Sequence, residues 1–162
     1  MNRRWMSILA ASAWLAVTGA TAKDNVIQCA NLIYGGSHTS RCFSDAFLTA
    51  VQKKTTIATE RHFKSVKLDS EELFTHPFIV MTGESEFRLT PKERENLKKY
   101  LTSGGFLLAS AGCSNKDWDR AFRREIKTIF GNDALKKLEM KHPLFRTVHT
   151  IEKLKLNHPG ED

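Results

Sequence analysis

The residues best suited to chemistry in this sequence each follow a short apolar run. Cys113 stands between the apolar residues 106–109 and a polar segment that predicts the start of a helix, where the helix dipole and unpaired N–H groups favour a thiolate. His38 follows the first apolar run, and His142 comes late in the chain. Because a cysteine nucleophile needs a general base, one hypothesis is a hydrolase or transferase in which Cys113 attacks and His38 or His142 accepts its proton.

The alternative is that Cys113 is a packed thiol or one half of a disulfide. None of the histidines has an acid at the spacing that would orient it as a base. The chain has three cysteines, so at most one intrachain disulfide forms and one thiol is left over. Cys42–Cys113 is the bridge more easily reached in the predicted arrangement, whereas Cys29–Cys42 is closer in sequence, and spacing alone leaves both open.

The other polar motifs predict neither a cofactor nor a metal. We interpret Gly35 and Gly36 as a tight turn, because no phosphate-binding pattern surrounds them. Glu84 and Glu86 have no histidine or aspartate beside them that would complete a metal-binding set. The histidines lack the spacing of zinc ligands.

An alternation of strands and helices must position these residues. The strongest local signal is the capping box that runs from Thr90 to Glu93, with Pro91 at the first helical position. Such alternation is typical of an α/β domain with a mostly parallel sheet, covered by helices on both faces. The predicted strands are residues 26–34, 56–63, 77–81, 106–109 and 135–138, and the predicted helices are residues 40–54, 91–103 and 115–130.

In a sheet of this kind, ligands bind beyond the carboxyl ends of the strands, at the switch in strand order. The loops at those ends offer a histidine, two carboxylates, a thiol, hydroxyls and glycine backbone. We therefore expect a ligand-binding rim made of Gly35, Gly36, His38, Gly83, Glu84, Ser110 and Cys113.

The amino terminus has the three parts of a secretory signal peptide. Arg3 and Arg4 precede an apolar run over residues 5–17, and a triplet of small residues predicts cleavage after Ala22. The run is shorter than the about 20 residues that cross a membrane, so we expect no stable span after cleavage and a periplasmic or secreted protein. The alternative is an uncleaved anchor. The expected organisation is a signal peptide at 1–22, one α/β domain at 23–150 and, at 151–162, a tail or a truncated remainder of the domain.

The chain is basic, with 25 lysines and arginines against 18 acidic residues and a formal net charge of +7. We interpret its basic clusters as solvated helix and loop surfaces and expect no nucleic-acid partner, because an exported protein rarely meets nucleic acid. A third hypothesis is an envelope assembly partner that docks through the basic helix face from Arg120 to Lys127.

Several stretches resemble the bacterial domain-of-unknown-function family numbered 4159. They are QCANLIYGG, PFIVMTGE, FRLTPKERENLKKYL, GGFLLAS, WDRAFRRE and HPLF. That family is similar to the trehalose-utilisation-like branch of the class I glutamine-amidotransferase-like superfamily, which implies a flavodoxin-like three-layer sandwich. The nucleophile motif G-x-C-x-G of the amidotransferases is not reproduced around Cys113, so the resemblance assigns no catalytic residue.

A complete scaffold without a convincing catalytic set favours binding over catalysis, since a fold does not supply a function. The leading hypothesis is therefore an exported, non-catalytic binding or accessory domain. Its partner would be a small molecule or an envelope protein.

Overall fold

The computed structural model describes residues 26–36, 38–39, 45–147 and 149–154. The predicted signal peptide, with its cleavage site at Ala22, lies outside the described residues, as do Cys42 and residues 155–162 of the expected tail. The rest of that tail, residues 151–154, has no regular secondary structure. Within the described ranges, no helix combines the length and the apolar character needed to cross a membrane.

The fold is α/β, with a mostly parallel, flavodoxin-like sheet, as predicted. Four strands lie parallel in the order β3-β1-β4-β5, and the short β2 pairs antiparallel with the end of β1. The chain first places β3 on one side of β1 and then places β4 and β5 on the other, so the switch point lies between β1 and β4. The strands are β1 (Ala30–Tyr34), β2 (His38–Thr39), β3 (Lys64–Lys67), β4 (Phe78–Gly83) and β5 (Phe106–Ala111).

Three α-helices connect or follow these strands: α1 (Asp45–Lys54), α2 (Pro91–Thr102) and α3 (Lys116–Phe130). α2 begins with the predicted capping box, in which the Thr90 side chain accepts from Glu93 N and the Glu93 side chain accepts from Thr90 N. The Asn115 side chain caps α3 by accepting from Trp118 N at 2.9 Å. Short 3₁₀ turns occupy Glu71–Thr75, Gly112–Ser114 and Pro143–Arg146.

The larger core lies between the sheet and the pair α2 and α3. Alternate residues of each strand point into it, as the period of two of a β-strand requires. Its strand and helix members include Ala30, Leu32, Tyr34, Val66, Ile79, Met81, Leu97, Tyr100, Trp118 and Ile126. Arg94 Nε donates to the buried Glu125 at 2.7 Å and so joins α2 to α3 across this layer.

α1 covers the opposite face, so the domain has three layers. Leu48 of α1 is fully buried, and Phe47 stacks on Phe78 with their ring centroids 5.9 Å apart. Phe78 stacks in turn on Phe106 at 5.5 Å. Aromatic stacking therefore adds to the aliphatic burial on this face, and each ring pair is worth about 0.5–1.5 kcal/mol beyond the area it buries.

Two predicted strands were placed wrongly. The second strand is β3, after the predicted residues 56–63, which contribute one isolated bridge, Ile27 with Thr59. Residues 135–138 form no strand and are exposed. Leu135 and Leu138 are three residues apart, so a strand would send them to opposite faces and could bury only one of them.

Candidate functional site

The carboxyl ends of β1 and β4 bring together most of the predicted rim. Gly35 and Gly36 follow β1 with φ of 56° and 91°, the left-handed region that favours glycine. Gly35 N donates to Glu93 Oε1 at 2.7 Å, while Glu93 Oε2 accepts from Thr90 N at 2.7 Å. The buried carboxylate of Glu93 therefore both caps α2 and fixes the first loop of the rim.

His38 reaches the rim on β2. Its ring stacks on Tyr34, with centroids 5.7 Å apart and planes 21° apart. Its Nδ1 lies 3.5 Å from Ser85 Oγ, in the loop that follows β4. The imidazole and the hydroxyl therefore face each other across the switch point.

Cys113 is exposed and occupies a turn between β5 and α3. Its backbone is left-handed, with φ of 47° and ψ of 35°, and Ser114 follows at φ of 55°. Such conformations are rare for residues with a side chain and store strain of order 1–3 kcal/mol each. Cys113 Sγ donates to Glu84 Oε1 at 3.5 Å.

The histidine and the cysteine of the catalytic hypothesis thus have different neighbours within the rim. His38 contacts Ser85, and Cys113 contacts Glu84. The other base considered, His142, accepts from Leu144 N at 3.2 Å and caps the 3₁₀ turn Pro143–Arg146. The geometry therefore pairs the thiol with a carboxylate where a cysteine nucleophile usually has an imidazole.

A hydrogen-bonded pair of aromatic side chains forms the base of the rim. Trp118 Nε1 donates to Tyr34 Oη at 2.7 Å, and Tyr34 Oη donates to Thr82 O at 2.7 Å. These groups pass directly over Gly83, where a methyl group would overlap both the Tyr34 hydroxyl and the Trp118 ring. Gly83 therefore allows close packing beneath the rim, and it does not offer backbone that a ligand could contact.

The remaining candidates, Ser110 for the rim and Glu86 for a metal, do not take part in these contacts. Ser110 is exposed on β5, opposite Thr82 in the register. Glu86 forms an ion pair with Arg124 at 2.9 Å, away from the Cys113–Glu84 contact. Among the described residues, no group of three or more histidine, cysteine or acidic side chains could hold a metal ion.

The cysteines lie at different places in the sheet. Cys29 is a buried free thiol before β1, and burial raises its pKa. Cys113 lies at the opposite, carboxyl border. Both predicted bridges include Cys42, which is outside the described residues, so the pairing stays a prediction.

The predicted rim left out Ser85, which lies in one of the expected loops, and sequence reasoning did not identify Tyr34, Glu93 and Trp118 as parts of the site. The capping box pointed to Glu93, but only one of its two carboxylate oxygens is used in a cap. The second carboxylate oxygen of Glu93 was the one signal that could have predicted a further contact, because a buried carboxylate needs partners for both of its oxygens.

Comparisons with known proteins give one family. The model of a domain of unknown function, DUF4159, matches residues 28–161. No curated protein matches the chain.

Proposed function

This chain belongs to the DUF4159 family of domains of unknown function, and from that premise we propose that it is an exported domain that binds a small polar ligand between β1 and β4. The observation that carries the proposal is the meeting of three loops at the carboxyl ends of β1, β4 and β5. His38 and Ser85 lie 3.5 Å apart at the switch point, and Glu84 and Cys113 lie 3.5 Å apart beside it, between β4 and β5. This is the position at which open α/β sheets bind ligands.

The rigid base supports binding because it orders these groups before a ligand arrives. Tyr34, Trp118 and Glu93 are buried, and their hydrogen bonds fix the loops after β1 and β4. Preorganised groups lose little conformational entropy on binding. A site of this kind can bind a small molecule without a large hydrophobic pocket.

The side chains at the rim indicate the class of ligand. An imidazole, a hydroxyl and a carboxylate can all bind the hydroxyl or amide groups of a neutral molecule. None of the four side chains in the two rim contacts is a lysine or an arginine. Neutral sugars and amides therefore fit this proposal better than nucleotides and other phosphorylated compounds.

A thermal-shift screen with sugars, amides and nucleotides tests the proposal. A ligand at 100 times its Kd adds about 2.7 kcal/mol to the free energy of unfolding. His38→Ala and Glu84→Gln are expected to abolish the shift. Matched substitutions away from the rim, His62→Ala and Glu95→Gln, are expected to retain it. If no compound stabilises the protein, or if the rim and control variants respond alike, the proposed site is wrong.

A second candidate function is cysteine chemistry, which the strained turn at Cys113 favours. A nucleophile on a strained turn from strand to helix is a recurrent catalytic arrangement. Glu84 is the group placed to accept the thiol proton. The test is alkylation of the folded protein with iodoacetamide, with the buried Cys29 as internal control. Alkylation of Cys113 whose rate reaches half of its maximum well below pH 8 supports this function, and alkylation that is fast only above about pH 8, near the pKa of a free thiol, removes it.

The export proposal depends on the amino-terminal sequence. Expression with the complete amino terminus in a bacterium, followed by mass spectrometry of the periplasmic fraction, is expected to give a chain that begins at Lys23. A full-length chain in the membrane fraction would instead support the uncleaved anchor.

Docking through the basic face of α3 has less support. Arg120 pairs with Asp117, Arg123 with Asp119, and Arg124 with Glu86 and Glu125. These partners offset much of the positive charge that the sequence suggested for that face.

A further inference from the structure

β5 is an outer strand of the sheet, and one of its edges is unpaired. Phe106 N donates to Pro77 O on the β4 side. Backbone groups alternate in direction along a strand, so Leu107, Ala109 and Ala111 direct their N–H and C=O groups away from β4. In the part of the chain that the structure describes, no hydrogen bond reaches this outer edge.

The two outer strands of the sheet differ in how they are protected. β3, at the other side, has four residues, and its sequence KSVK places two lysines on an exposed edge. Short strands and lysines are common devices against unwanted pairing. β5 has six residues, FLLASA, with no charge and no proline, and Phe106 is 55% exposed. An edge of this kind is a template for another strand.

A groove runs beside the outer edge on the α3 side. It has a volume of about 450 Å³ and lies between β5, α3 and residues 135–137. The apolar lining of the groove includes Ala109, Ala111 and Phe122, and Lys136 and Lys137 lie along its border. Both lysines are exposed, and neither has an ion pair among the described residues.

We propose that the outer edge of β5 binds an extended strand of a partner protein in which acidic side chains alternate with apolar ones. Main-chain hydrogen bonds to Leu107, Ala109 and Ala111 would give affinity. Apolar side chains on one face of the added strand would cover Phe106, and carboxylates on its other face, the groove side, would meet Lys136 and Lys137. Addition of a strand to an open edge is a recurrent mode of peptide recognition.

The charge distribution distinguishes this partner from a second copy of the chain. Two copies paired through β5 about a twofold axis would each bring Lys136 and Lys137 to the same interface. Like charges at an interface oppose association, whereas carboxylates complement the lysines. The groove shares Trp118 with the base of the rim, but the proposed strand contacts neither His38 nor Ser85 and does not depend on the proposed ligand.

The test uses the whole protein and a blocked ten-residue peptide of alternating valine and glutamate. We expect saturable binding in fluorescence anisotropy, at least tenfold weaker binding of the matched valine–lysine peptide, and loss of affinity with added salt. In hydrogen exchange, the peptide is expected to slow the amides of Leu107, Ala109 and Ala111. The amides of Phe106, Leu108 and Ser110, which face β4, are expected to change little.

Two variants separate the backbone contribution from the charge contribution. Ala109→Pro removes one outward donor and leaves the β4 ladder intact, so peptide affinity is expected to fall at least tenfold. The double variant Lys136→Glu, Lys137→Glu is expected to do the same, whereas Lys53→Glu, Lys54→Glu at the end of α1 is expected to bind as the parent does. The charge variants keep the proposal testable if the proline variant does not fold.

Three results would overturn the proposal. The first is equal binding of the two peptides, and the second is full affinity in the double lysine variant. The third is slow exchange of the three outward amides in the protein alone. In that case a dimer in sedimentation would identify a second copy on the edge, and a monomer would identify a segment of the same chain.

Discussion

The two faces of the sheet are built by different kinds of interaction. On the α2–α3 face, most buried polar groups are paired: Tyr34 with Trp118, Asn96 with Leu68 O at 3.0 Å, and Tyr100 with His76 O at 2.8 Å, while His76 Nε2 has no partner among the described residues. On the α1 face, phenyl rings stack, and the buried Oδ1 of Asn31 has no partner among the described residues. Directional bonds therefore fix one face, and less directional packing holds the other.

This difference decides which face positions the rim. Glu93 and Trp118 belong to α2 and α3, and their hydrogen bonds reach Gly35 and Tyr34 at the end of β1. Hydrogen bonds that are buried and fully paired specify one arrangement, because leaving a partner unpaired costs about 1–3 kcal/mol. We expect substitutions on the α2–α3 face to disturb both stability and the rim, and those on the α1 face to affect stability alone.

The largest effect is expected from Gly83→Ala. The added methyl group would overlap the Tyr34 hydroxyl and the Trp118 ring, which are held together by their own hydrogen bond. Overpacking of a buried site costs about 1–3 kcal/mol and occasionally more, and we expect the upper part of that range. Urea unfolding with an unchanged m-value measures it.

Gly131→Ala is the matched control for Gly83→Ala. A methyl group at Gly131 meets nothing within 4 Å, so its cost comes from the positive φ of 93° alone. With ψ of 178° this is backbone that essentially only glycine adopts, so the cost is about 1–3 kcal/mol. If Gly83→Ala loses less free energy of unfolding than Gly131→Ala, close packing at Gly83 does not hold the base of the rim.

The second prediction concerns alkaline pH. Burial raises the pKa of Tyr100 to about 12, from about 10 in an unfolded chain. The folded state therefore keeps a proton that the unfolded state loses, so this contribution is present below pH 10 and declines as the pH rises toward 12. The loss is about 2 kcal/mol by pH 12.

Tyr100→Phe isolates that contribution. Phenylalanine does not titrate, so the stability of the variant relative to the parent should rise between pH 10 and pH 12. The variant itself is expected to be less stable than the parent at pH 7, because it loses the hydrogen bond to His76 O. Parallel stability curves for the two proteins across that pH range would show that Tyr100 is not the group responsible.

The fold was more predictable than the site, because periodic patterns report burial and capping but not distant partners. Phe78 to Gly83 and the capping box of α2 lie where the sequence predicted a strand and a helix start. β3 was missed because KSVK has one buried residue, Val66, and no apolar alternation. Its position depends on pairing with β1, which no local pattern reveals.

The rim shows the same limit at the level of single residues. Loops after parallel strands were expected to meet, and His38 and Glu84 do lie at neighbouring loops. The contact between Glu93 and Gly35 spans 58 positions of sequence, and the Trp118–Tyr34 contact spans 84. Such contacts arise from three-dimensional packing, so one sequence alone could not assign them.

The third prediction compares the same substitution on the two faces. Asn96→Val removes a buried donor from Leu68 O, and we expect a loss of about 1–3 kcal/mol in the free energy of unfolding. Asn31→Val removes an oxygen that is buried without a partner, and we expect a change within about 1 kcal/mol, toward greater stability. Valine and asparagine have similar helix propensities, so the change at Asn96 reports the hydrogen bond. Equal losses at the two sites would contradict the contrast between the faces.

The smallest effects are expected from a matched pair of phenylalanines. Phe87 is buried in the α2–α3 core and meets the Tyr34 ring edge to face at 4.8 Å, whereas Phe47 on α1 is 36% exposed. Because a partly exposed ring loses less buried area on truncation, Phe47→Leu is expected to cost less than about 1 kcal/mol, and Phe87→Leu about 1–2 kcal/mol.

Proton NMR of the His38 ring gives a second measurement, since only Phe87→Leu should shift its resonances. A His38 shift in Phe47→Leu as large as that in Phe87→Leu would mean that the α1 face also positions the rim.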